Sequence, residues 1–95
     1  ATMAPYFAFA GEVTEWLTRQ GVAPATARSY IGGVFHGLAT VAENQPAEPF
    51  PILAEKFATA GGINEQVMAH LTKMGALKAV SDALDGVLNR MTEAS

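Results

Sequence analysis

The sequence predicts an all-α domain of about five helices, and three features point there. Apolar residues recur at steps of three and four along most of the chain. Proline and glycine punctuate the short breaks between those stretches. No stretch sustains the apolar/polar alternation of a strand, and the β-branched residues sit inside helical patterns.

The first helix is expected over residues 5 to 20. Tyr6, Phe9, Ala10, Val13, Trp16 and Leu17 share one side of it, and Glu12, Glu15 and Arg19 share the other. Pro5 suits its first turn, where an N–H has no intrahelical partner, and Gly21 suits the left-handed position beyond its end. Pro24 opens a second helix in the same way. That helix runs to about Glu43, where the stiff segment Gln45-Pro46-Ala47-Glu48-Pro49-Phe50-Pro51 forbids continuation.

From Ser29 to Ala42 the second helix carries no Asp, Glu, Lys or Arg, so it needs burial on most sides. The stretch is too short to cross a bilayer. Gly32, Gly33 and Gly37 each cost about 1 kcal/mol relative to alanine in a helix, which points to another backbone coming close along that side. Tight helix packing is the plain use of such an approach, and with Phe35 these glycines are the candidates for a subunit interface.

Ile52 to Phe57 allows one or two helical turns, and Ala58-Thr59-Ala60-Gly61-Gly62 reads as a loop. A fourth helix starts at Ile63 or Asn64, carries Val67, Met68, Leu71 and Met74 on one side, and ends at Gly75. In the fifth, Leu77, Val80, Leu84, Val87 and Met91 form a seam at alternating steps of three and four. Two heptads are too few for a free coiled coil, so this seam is expected to pack on the rest of the domain.

The 95 residues are 49% apolar and carry a net charge of −3. A chain this short makes one domain, and it buries only about two-thirds of its unfolded surface. Only 16% of the residues are charged, where about 25% is usual, and the excess apolar surface points to a subunit interface. Six scattered Lys and Arg residues make no phosphate-binding face, which excludes nucleic acid. The absence of cysteine removes disulfides, thiolate zinc sites and thiol nucleophiles, and it fits a cytoplasmic setting. No secretion signal marks the start at Ala1.

Little in the chain carries chemistry by itself. There is no Gly-x-Gly-x-x-Gly turn and no Gly-Lys-Ser/Thr phosphate loop. His36 and His70 are far apart and lack partners at metal-ligand spacing, so no metal is expected. His36 reads as a packed, hydrogen-bonded ring and His70 as a surface or interface residue. Ser29 and Ser81 lack a nucleophile-elbow context, and the carboxylates read as solvated. Thr59-Ala60-Gly61-Gly62-Ile63-Asn64 is the best local candidate, because a glycine loop feeding a helix offers backbone N–H groups to an anion.

The order of these elements resembles the C-terminal domain of pyrroline-5-carboxylate reductases over residues 2 to 92. The likeness rests on Gly21-Val22-Ala23-Pro24 leading into Ala25-Thr26-Ala27, the small-residue helix, the proline loop, Ala60-Gly61-Gly62 and two closing helices. The family's pattern is Gly-(Leu/Ile/Val)-x-x-x-x-Ala early and Ser-Pro-Gly-Gly-(Thr/Ala)-Thr late. The resemblance implies two such helical domains interleaved as a homodimer, and an N-terminal Rossmann domain, absent from these residues, that supplies NAD(P). It implies no cofactor held by this chain alone, which is then inactive by itself.

By the same likeness Thr59, Gly61 and Gly62 contact the carboxylate of a small-molecule substrate, a cyclic imine as in proline biosynthesis. The family's last threonine, a hydrogen-bond partner or proton donor to the imine, is matched by Asn64, the candidate catalytic residue. A carboxamide donates a hydrogen bond but is a very poor general acid. Ile63 replaces a small residue, Ala60 replaces the proline, and of the family's Gly-Ser-Gly-Pro opening only Pro5 survives in Thr2-Met3-Ala4-Pro5. These departures imply a shifted substrate, another cyclic imine or a keto acid. The alternative is a stand-alone helical dimerisation module without catalytic activity.

Overall fold

The computed structural model describes residues 1–94. Five helices follow in order: α1 Met3–Arg19, α2 Pro24–Asn44, α3 Phe50–Phe57, α4 Ile63–Lys73 and α5 Ala76–Ala94. No strand occurs among the described residues, as the sequence predicts. The helices divide into two compact units, α1 with α2 and, from Glu48 onward, α3 to α5.

In the first unit α1 ends in a Schellman motif. Gly21 takes a φ of +104°, its N–H donates to the Thr18 carbonyl at 3.0 Å, and the Val22 N–H donates to the Leu17 carbonyl at 3.1 Å. Leu17 and Val22 are both half-buried there. Pro24 then begins α2, its fixed φ matching the helix. Ala27 and Ile31 are buried on the side of α2 that meets α1. Tyr6 and Phe9, early in α1, both meet the ring of Phe35 just past the middle of α2, so the helices run back along one another. Thr14 and Thr18, half-buried, satisfy their hydroxyls by donating to Ala10 and Thr14 carbonyls one turn back.

In the second unit α3 begins two residues earlier than the sequence predicts. Pro49 is extended and takes the cap position, and Pro51 falls in the first turn, where it forfeits no helical hydrogen bond. Leu53 is buried, and Lys56 pairs with Glu48 at 3.1 Å. At the far end Gly75, at φ +71°, donates to the Thr72 carbonyl to close α4, and its own carbonyl accepts the first helical N–H of α5, that of Ala79. One residue is thus the stop of α4 and the start of α5.

Within the second unit the seam of α5 is left largely uncovered, not packed as the sequence predicts. Leu77 and Val80 are each 52% exposed, Leu84 and Val87 40%, and Met91 66%. Its one close helical neighbour, α4, has 11 residues to its 19, and only Ala76 of the described α5 side chains is even half-buried.

The need to bury α2 is also unmet within the chain. Tyr30, Val34 and Leu38 remain exposed, and among the described residues no atom beyond the adjoining residues and the helix's own backbone lies within 4 Å of where a Cβ on Gly33 or Gly37 would sit. The close approach expected at Gly33 and Gly37 is therefore not made within the first unit. His36 is likewise exposed instead of packed.

Candidate functional site

The loop between α3 and α4 is shaped by its two glycines. Gly61 turns the chain at a φ of +75°, a conformation that side-chain-bearing residues rarely adopt. Gly62 is extended and caps α4. Its N–H donates to the Thr59 carbonyl at 2.8 Å, and a Cβ on Gly62 would stand 3.0 Å from that same oxygen. The turn is closed so tightly that even alanine would push against it.

Two side chains from the first turn of α4 reach back over this loop. The Asn64 carboxamide donates to the Phe57 carbonyl at 3.1 Å, tying α4 to the end of α3. The Glu65 carboxylate accepts the Gly61 N–H at 3.2 Å. Thr59, Gly61, Asn64 and Glu65 are exposed, and Gly62 is half-buried.

Thr59, Gly61 and Gly62 thus gather in one exposed loop with Asn64 beside it at the start of α4, and three of their N–H groups are used internally. The N–H groups of Gly61 and Gly62, read from the sequence as open to an anion, are held by Glu65 and Thr59. A nitrogen of Asn64 serves the backbone of α3. Glu65 was not among the residues the sequence singles out. Its signal is its place, an acidic residue three positions after the helix cap, where a carboxylate reaches back to a backbone N–H and meets the positive end of the helix dipole.

The second concave feature lies within the first unit, a groove of about 580 Å3 between α1 and α2. Tyr6, Phe7 and Phe35 form its aromatic walls, Gly11, Gly32 and Ala39 leave it open, and Glu15, Arg28 and His36 stand at its polar edge. Gly32 gives room to the Arg28 guanidinium, which would lie 2.9 Å from a Cβ there. Of the four expected interface residues, Gly32 and Phe35 line this groove. At 100° per residue, Gly33 and Gly37 fall on the opposite side of α2. A partner that touches all four must approach α2 from both sides.

Among the described residues no three His, Cys, Asp or Glu side chains gather closely enough to hold a metal ion. No described helix is long and apolar enough to cross a membrane. The described residues contain no strand, and so no strand, glycine turn and helix of the kind that holds a dinucleotide's pyrophosphate.

A family model described as pyrroline-5-carboxylate reductase dimerisation matches residues 1–94. No curated protein and no solved structure matches the chain.

Proposed function

We propose, from the premise that this chain belongs to the pyrroline-5-carboxylate reductase dimerisation family, that it is the dimerisation and substrate-side part of an NAD(P)-dependent reductase of cyclic imines. The observation that carries the reading is how little the chain buries by itself. Among the described residues only Ala27, Ile31 and Leu53 are buried, while aromatic and aliphatic side chains on α1, α2 and α5 stand in solvent. Apolar surface on that scale belongs at an interface, and a second copy of the chain is the partner that a dimerisation family supplies.

The interface in this reading uses both sides of α2, through Gly32 and Phe35 on one and Gly33 and Gly37 on the other, together with the α5 seam. The loop of Thr59, Gly61 and Gly62, with Asn64 beside it, faces the substrate. Hydride chemistry belongs to the nicotinamide of a cofactor domain outside these residues. What the present residues contribute is the shape and charge of the loop.

The assembly is tested by light scattering on the chain at micromolar concentrations, where a dimer of twice 10.0 kDa is expected. A monomer at every concentration overturns it. The reaction is tested in the protein of full natural length by following NAD(P)H consumption with a panel of cyclic imines, and no turnover with any of them overturns the reductase reading.

A further inference from the structure

We propose that the groove between α1 and α2 seats α5 of a second copy of this chain, with Arg28 of one copy paired to Asp85 of the other. This assignment rests on the dimer reading above and names which surface meets which.

The groove is open along its floor and uncovered along its walls. Gly11 and Gly32 lie at its middle. Among the described residues no atom beyond the adjoining residues and the helix's own backbone lies within 4 Å of where a Cβ on Gly11 would sit, and Phe7 on the wall is 70% exposed. The lining runs from Tyr6 to Glu15 on α1 and from Arg28 to Ala39 on α2, about 14–17 Å at 1.5 Å per helical residue. A rod with one apolar side fits such a trough. The α5 seam is that rod, since Leu77 to Met91 spans about 21 Å and its apolar side is left uncovered in its own unit.

Charge narrows the choice of occupant. Arg28 lies in the groove over Gly32, and no carboxylate of the described residues pairs with it. Covering that guanidinium with a purely apolar body would strand a charge, so the occupant must bring a carboxylate. On α5, Asp82 is taken by Lys78, whereas Asp85 has no partner among the described residues. At 100° per residue, the apolar stripe from Val87 through Leu84 to Leu88 is flanked by Asp85 about 60° beyond Leu88 and by Arg90 about 60° beyond Val87. The groove offers the opposite signs, Arg28 on α2 and Glu15 on α1. Because groove and seam belong to different units of the chain, a two-fold axis makes the contact twice and closes the pair.

The test uses this chain with single cysteines, since its 95 residues contain none. Gly11→Cys, at the middle of the groove, is refolded under mild oxidation together with Leu84→Cys, and separately with Val80→Cys and with Val87→Cys. At least one mixture should give a disulfide-linked species of twice 10.0 kDa on a non-reducing gel. Mixing separate chains ensures that any such link joins two copies. No link in any mixture, or a seam variant that links to itself as readily, overturns the assignment. Light scattering gives an independent reading. Arg28→Asp and Asp85→Arg each set like charges together and should raise the dimer Kd at least about tenfold, while the two combined should return it to within about threefold of wild type. Single variants as tight as wild type, or a double variant no tighter than the singles, overturn the pairing of Arg28 with Asp85. A wild-type chain that stays monomeric throughout the micromolar range brings down the dimer reading itself, whereas a wild-type dimer without the link brings down only the seat of α5.

Discussion

Leu84, at the middle of the α5 seam, offers the sharpest test of what the exposed apolar surface is for. It is 40% exposed in the single chain, and full burial of a leucine is worth about 1.5–3 kcal/mol. Covering the remaining two-fifths therefore contributes about 1 kcal/mol per protomer. A two-fold interface counts it twice, so Leu84→Ala should weaken the dimer by about 2 kcal/mol, roughly 30-fold in Kd. Leu84→Asp adds the cost of covering an unpaired carboxylate, several kcal/mol per ion, and should leave a monomer at micromolar concentrations.

The control is Asn89→Asp, which makes the same charge change on the opposite side of α5 and should leave the dimer intact. Light scattering reads the mass directly. Thermal melting at several concentrations reads the same equilibrium, because the melting temperature of a dimer rises with concentration. A Leu84→Asp chain that remains dimeric and melts as wild type does would show that the seam is not the covered surface.

Two further substitutions probe the backbone. Gly33→Leu places a large side chain where a partner's backbone is proposed to come close, and it should break up or misfold the dimer; unchanged mass and melting would remove the glycines from the interface. Gly21→Ala forces a Cβ into the left-handed turn that closes α1 and should cost about 1–2 kcal/mol, or about 4–16 °C in melting temperature for a domain this size, without changing the mass. An alanine variant as stable as wild type would show that the turn relaxes freely.

Helix boundaries were legible in the sequence wherever a residue has one steric use. Gly21 and Gly75 both take positive φ at helix ends, and Pro24 begins α2. Where a residue has two uses the reading slipped, as at Pro51, which breaks a helix from within but suits its first turn. The apolar stripe of α5 was legible as a stripe, but periodicity names the side that needs cover and not what covers it. Side-chain bonds across the glycine loop were the least legible. The sequence places Asn64 and Glu65 next to Gly61-Gly62, yet whether they serve the backbone or a ligand depends on χ angles that no spacing encodes.

The joint at Gly75 ties the length of the chain to the direction of recognition. Each residue of helix advances the azimuth by 100°, and α5 starts on the residue where α4 stops. Inserting or deleting one residue there would swing Leu77, Val80, Leu84, Val87 and Met91 more than a quarter turn about the helix axis and send Lys78 and Asp82 toward where they had pointed. Most connections between helices absorb a length change on the surface. This one has no slack, so among natural variants of the chain substitutions at the joint should be far commoner than changes in its length.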